Sequence, residues 1–167
     1  MKQKMTKDIV PENFTLGLAL VDAIPVVFFG ASCVVIGALF SSTLFLLGAI
    51  FCLAGGAGKV LWKIIVVLKQ KNVWPLFVQM RILMPVGFLM MLCSVVANYS
   101  RISFTGIITA VTSIPAALFF LIGIIGMVLM GIFAAKLDSS DVKSNWIEQF
   151  TNGIAQICIF IGLLLLM

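Results

Sequence analysis

The sequence contains no histidine. That removes the commonest general base and the commonest neutral metal ligand, so most hydrolytic and metal-dependent mechanisms lose their usual parts. Charge is scarce as well: 10% of the residues are Asp, Glu, Lys or Arg, against about 25% in soluble domains. The four cysteines, Cys33, Cys52, Cys93 and Cys158, form no C-x-x-C pair and all sit in apolar runs. A disulfide framework or zinc site is therefore not expected, and they read as small packing residues.

What is present is apolar. Hydrophobic residues make up 62% of the chain and the mean hydropathy is +1.23, values of an all-α polytopic membrane protein. A span takes about 20 residues, so 167 residues hold five or six helices and no separate catalytic domain. Of the nine methionines, Met84, Met90, Met91, Met127 and Met130 lie among Leu, Ile and Phe without histidine or cysteine at ligand spacing, and they read as packing rather than as a copper site. No cofactor is expected.

Residues 1–13, MKQKMTKDIVPEN, form a basic segment expected on the cytoplasmic side, and 14–167 form a single transmembrane domain. The first span runs from about Phe14 to Leu39. Its basic lead and Gly30-Ala31-Ser32-Cys33 superficially match a lipoprotein signal, but Asp22 and Pro25 interrupt the apolar core and hydrophobicity continues past Cys33. The expectation is an uncleaved span. After the turn Phe40-Ser41-Ser42-Thr43, the second span covers about Leu44 to Leu68. Gly48, Cys52 and Gly56 recur there at intervals of four, and small residues at that spacing allow close helix approach. This face also offers a subunit interface. Gly55-Gly56-Ala57-Gly58-Lys59 is not read as a phosphate loop, because Val60 stands at the Ser/Thr position and no strand precedes it.

Trp74-Pro75 opens a third span to about Ala97, with Trp74 suited to the interface. The fourth run, Phe104 to Leu137, has 34 residues. It is about 50 Å long as a helix against a core of about 30 Å, so it must tilt, kink at Pro115 or begin as an interfacial piece. The last helix, Asn145 to Met167, carries Glu148, Asn152 and Gln156 four residues apart on one face.

Measured from the cytoplasmic helix ends, Asp22, Lys59, Arg81 and Asn152 all lie roughly 9–14 Å deep. Glu148 is nearer the surface and Gln156 deeper. Polar groups in a bilayer face protein or a water-filled cavity, which makes these six a candidate substrate or ion path. Asp22 is expected to pair with Lys59 or Arg81. Arg81 would be a fixed anion anchor, with Glu148 or Asp22 the titratable partner, while Lys59 and Lys63 read as snorkelling if the network is only structural. Pro25 and Pro115 both fall about 11 residues into their spans, which run in opposite directions. This suggests hinges in an inverted repeat of helices 1–2 and 4–5 around a central third span.

The functional expectation is a small transporter or channel for a small polar solute or ion, as a homo-oligomer. The rival is a non-catalytic membrane subunit or regulator whose polar cluster is structural glue. Its partner would be a larger membrane complex or a lipid, with the basic stretch Lys63 to Lys71 facing anionic head groups. An intramembrane lipid enzyme lacks a recognisable nucleophile or metal motif, and no enzymatic activity or nucleic-acid partner is expected.

With five spans, Lys2, Lys4, Lys7, Lys63, Lys69, Lys71, Lys136 and Lys143 share one side and Arg101 stands on the other. By the positive-inside rule the amino terminus is cytoplasmic and the carboxyl terminus external, in an inner membrane. A reporter fused after Met167 should accordingly be external and one inserted between Asp138 and Ser139 cytoplasmic. Finding both on one side would refute five spans.

Overall fold

The first helix begins where Thr15, in an extended conformation, turns its hydroxyl back to accept a hydrogen bond from the Leu18 amide at 3.2 Å. This satisfies one of the amide donors that every helix start leaves over. The computed structural model describes Val10 and residues 14–101, 103–137 and 141–166. The basic segment 1–13 lies outside them except for Val10, so its expected placement has no structural counterpart here.

Among the described residues every regular element is a helix. They are α1 (Leu16–Phe40), α2 (Thr43–Lys69), α3 (Trp74–Val78), α4 (Met80–Ala97), a short 3-10 helix (Tyr99–Arg101), α5 (Phe104–Thr112), α6 (Ala116–Lys136) and α7 (Val142–Leu164). Among the described residues five spans are long and apolar enough to cross a membrane, with α3 and α4 together making the third, Trp74–Ala97. Large apolar side chains such as Val27, Val34, Leu61, Leu89 and Val128 point outward along them. In water such a surface would drive association. In lipid it is the expected exterior.

The turns follow from local chemistry. Ser41 closes α1 in the left-handed region, at φ 48°, with its amide bonded to the Gly37 carbonyl, and Ser42 then caps α2 by accepting from the Phe45 amide. The Ser42 hydroxyl also meets that of Ser94 at 2.7 Å, tying this turn to the end of α4. At the other end of the molecule Asp141 caps α7. One of its carboxylate oxygens accepts from both the Ser144 amide and the Ser144 hydroxyl, each at 2.9 Å. These bonds hold the Asp141 carboxyl below its ordinary value. The charged cap thus contributes fully above the unfolded-state value, and the contribution is lost as pH falls through the lowered one.

The two prolines behave differently. The fourth run breaks at Ser113 to Pro115, which leaves α5 as a separate nine-residue helix before α6. α1 instead continues through Pro25. Pro25 has no amide to offer the Val21 carbonyl, yet the helix does not end there. It is a weak point within one rod and not a break, so the two prolines are not equivalent hinges.

The spans form an arc in the order α4, α2, α1, α7, α6, each packed on the next, while α4 and α6 share no packed interface. The third span therefore stands at one end of the arc. It is not the centre of two symmetry-related pairs, and the inverted-repeat arrangement is not what the packing shows.

The small-residue face of α2 is used within the chain. A methyl group at Gly48 would sit 2.6 Å from the Gly87 carbonyl oxygen, and one at Gly87 would sit 2.5 Å from that of Gly48. The α2 and α4 backbones touch there, and Gly56 is filled by Val26 of α1. The face is thus not free to form a subunit interface. Gly123 and Gly126 of α6 make the same kind of approach to Ala155 and Ile159 of α7.

Gly87→Leu should separate α2 from α4. The loss expected is about 1–3 kcal/mol or more, as for other overpacked sites, read by thermal unfolding in detergent. The same change at Gly131, where nothing lies within 4 Å, should have little effect. Equal losses at both positions would refute backbone contact as the basis of the α2–α4 crossing.

Candidate functional site

Asp22 is 3% exposed, on the inner side of α1. A carboxylate stripped of water there must be neutralised or paired, and two lysines from α2 do this. Lys63 Nζ lies 2.8 Å from Asp22 Oδ2 and Lys59 Nζ lies 3.8 Å from Oδ1. Lys59 was an expected partner. Lys63 was not: it reads as a loop-side or snorkelling cation, yet it is 1% exposed. It therefore leaves the count of loop charges expected on the cytoplasmic side, which becomes seven against Arg101, and the supposed head-group-binding stretch reduces to the exposed Lys69 and Lys71.

Lys63 is held on its other sides too. Asn145 Oδ1 accepts from its ammonium at 3.4 Å, and the Phe14 ring lies 5.8 Å from the nitrogen. The amide of Asn145 has one sensible orientation: its Nδ2 donates to the Asp141 carbonyl at 2.9 Å, leaving the oxygen for the cation. A continuous chain thus runs from the α7 cap through Asn145 and Lys63 to Asp22 on α1.

An aromatic cluster closes the end of the bundle next to this chain. Phe14 meets Trp62 edge-on at 6.1 Å, Trp62 meets Phe77 at 4.9 Å and Phe77 meets Trp74 at 5.3 Å. Leu18 and Val66 fill in behind them, with Val10 and Trp146 packed on the outside. The indole of Trp62 donates to Asn72 Oδ1 at 3.0 Å, so its one polar atom is satisfied. This cluster keeps water from the ion pair and strengthens it electrostatically.

Beyond the ion pair, towards the middle of the spans, lies a cavity of about 220 Å³. Asp22, Lys59, Asn152 and Gln156 supply its polar wall, and Phe29, Phe88, Met80, Met84, Met127 and Met130 much of the rest. Pro25 lines it as well. Four of the six sequence-predicted path residues therefore meet at one cavity, and two do not. Arg81 is exposed with its guanidinium 5.1 Å from the Phe77 ring centre. It anchors nothing in the cavity and is not Asp22's partner. Glu148 is half-buried, off the cavity lining, and makes no ion pair within 4 Å among the described residues. With Arg81 outside, the charges that cancel are Asp22 and Glu148 against Lys59 and Lys63.

Asn145 and Gln149 were missed by the sequence reading, and the signal for both was present. At 3.6 residues per turn, positions 145, 149, 152 and 156 stay within about 60° of one another. They form one stripe, of which 148, 152 and 156 trace only a drifting diagonal. Among the described residues the Oε1 of Gln149, which is 1% exposed, and the Ser32 hydroxyl have no hydrogen-bond partner, and Asp22 Oδ2 is met by the Lys63 ammonium as an ion pair rather than by a well-formed hydrogen bond. Gln156 donates to the Met127 sulfur at 3.4 Å, a weak acceptor. Lys63 was legible by the same rule, since Lys59 and Lys63 share a face at i, i+4 and two like charges there call for an acid between them. No three Cys, Asp or Glu side chains cluster as a metal site among the described residues.

No family model, curated protein or solved structure matches this chain. The site must therefore be read from its own chemistry.

Breaking the buried pair from one side should cost about 3–5 kcal/mol, because a charge is left alone. Asp22→Asn and Lys63→Met should each lower the unfolding temperature strongly, and the double variant should recover much of the loss. Losses that simply add would refute a direct interaction.

Proposed function

We infer that the protein is a small membrane carrier for a small solute, with Asp22, Lys59, Asn152 and Gln156 as the solute-facing groups. One observation carries this reading: polar side chains from three helices converge on an unfilled cavity in the middle of the spans. Polar atoms kept there without full hydrogen bonding are costly, and the cost is explained if a solute completes them. The aromatic cluster at one end favours a carrier, which opens to one side at a time, over a continuous pore. The carrier would sit in the inner membrane with its amino end cytoplasmic, as the seven-to-one distribution of loop charges supports.

The rival reading, a non-catalytic subunit, draws on a different observation. The chain Asp141, Asn145, Lys63, Asp22 is bonded throughout and needs no ligand. It accounts for the ion pair but not for the cavity. Homo-oligomer formation keeps one support: among the described residues α4 and α6 share no principal packed interface.

Transport in proteoliposomes containing only this protein decides between the two. Lys59→Gln should reduce uptake by roughly tenfold or more if its charge contacts the solute, with the fold retained. Arg81→Ala should transport like the parent. No uptake of any tested solute by the folded parent, or full uptake by Lys59→Gln, would remove the carrier reading and leave the subunit reading.

A further inference from the structure

The charge at the cavity is unevenly shared. Asp22 gives its short contact to Lys63, at 2.8 Å, and stands 3.8 Å from Lys59, outside hydrogen-bond distance. An ammonium has three donors, and no acceptor lies within hydrogen-bond reach of Lys59 among the described residues. Its side chain is 27% exposed, and it lines the cavity. Asn152 lines the same wall and adds an amide with no hydrogen bond among the described residues. Asp22 and Glu148 balance the two ammonium groups overall, but Glu148 is off the lining and Asp22 is taken up by Lys63, so the Lys59 ammonium is the charge left facing the space.

The remainder of the space is apolar, built from Met80, Met84, Met127, Met130, Phe29 and Phe88. Methionine side chains are unbranched and polarizable, and they adapt to chains of varying shape. Two of these methionines come from α4 and two from α6, the pair of spans that do not pack together. The cavity is therefore walled least towards the surrounding lipid. At about 30 Å³ per water-sized group, 220 Å³ holds about seven such groups: a head and roughly the first six carbons of one chain, whose end would leave through the open side between α4 and α6, but not two chains.

We propose that the cavity binds a single-chain amphiphile with one negative charge, a medium-chain carboxylate, its head on Lys59 and Asn152 and its chain among the methionines of α4 and α6. This names the solute class for the carrier reading and rests on that cavity being the solute site. A cation is disfavoured because Asp22 is already paired, and a small hydrophilic anion would leave the apolar wall unused.

The test is equilibrium binding to the purified full-length protein in a neutral maltoside detergent at about pH 8, where a carboxylic acid is ionised and a lysine charged. Decanoate should raise the unfolding temperature saturably. Decanol, decylamine and butyrate at matched concentration should not. Lys59→Gln should weaken decanoate binding by roughly ten- to a hundredfold, Lys59→Arg should retain it, and Arg81→Gln should bind as the parent does. Met130→Trp, which fills the apolar part with Lys59 intact, should abolish it and keeps the proposal testable if Lys59→Gln fails to fold. Parental affinity in Lys59→Gln or Met130→Trp, or equal stabilisation by decylamine, would overturn the proposal. Displacement of decanoate by phosphatidylglycerol in the same micelles would also overturn it, by assigning the charge to a two-chain lipid. A protein that binds decanoate but moves no solute would sink the carrier reading and leave this site standing. Uptake of polar solutes with no response to decanoate would do the reverse.

Discussion

The fold depends on one carboxylate being placed where almost none of it is exposed. Asp22 sits in the wall of α1 that faces both α2 and α7, and no apolar packing could compensate a bare charge there. Its solution is two lysines one helical turn apart, of which the nearer is also bonded to Asn145. The pair thereby fixes how α1, α2 and α7 are rotated relative to one another. A slip of one residue in any of them would turn a charged or amide group towards lipid. Hydrocarbon contacts alone are tolerant of such slips, so the rotational specificity of these three spans comes from a few polar atoms.

The same arrangement separates two roles that the sequence leaves merged. Lys63, enclosed by Asp22, Asn145 and Phe14, is a positioning group. Lys59, one turn further along and partly exposed, is the chemically available one. Two residues of one type, four positions apart, differ because the aromatic cluster closes over the first and the cavity opens beside the second.

The number of spans, their approximate limits and the serine turn after α1 were readable from hydropathy and capping residues, because those features are set within a few residues of chain. That Asp22, Lys59 and Asn152 lie at one level along their helices was readable as well, since rise per residue converts position into distance, though Arg81, counted at the same level, is not with them. What was not readable was rotation. Whether Lys63 or Arg81 meets Asp22 depends on which sides of α2 and α4 face inward, and Gly48 against Gly87 decides that by allowing the backbones to touch. The aromatic cluster escaped notice for a related reason: Phe14, Trp62 and Phe77 come from three helices, and no single stretch contains their pattern. The order of the arc, with the third span at one end, is likewise a tertiary fact.

That order has a consequence for biogenesis. Of the four principal interfaces, three join spans that are neighbours in the chain: α1 with α2, α2 with α4, and α6 with α7. Each can form as soon as its second helix has entered the bilayer. The α1–α7 interface alone joins distant parts of the chain, so assembly reduces to one docking event between a three-span half and a two-span half. The residues that complete this docking are Lys63 and Asn145. Until α7 arrives, the Lys63 ammonium lacks its Asn145 ligand, and the first three spans wait as a half-satisfied intermediate whose exposed polar seam marks where the last helix belongs.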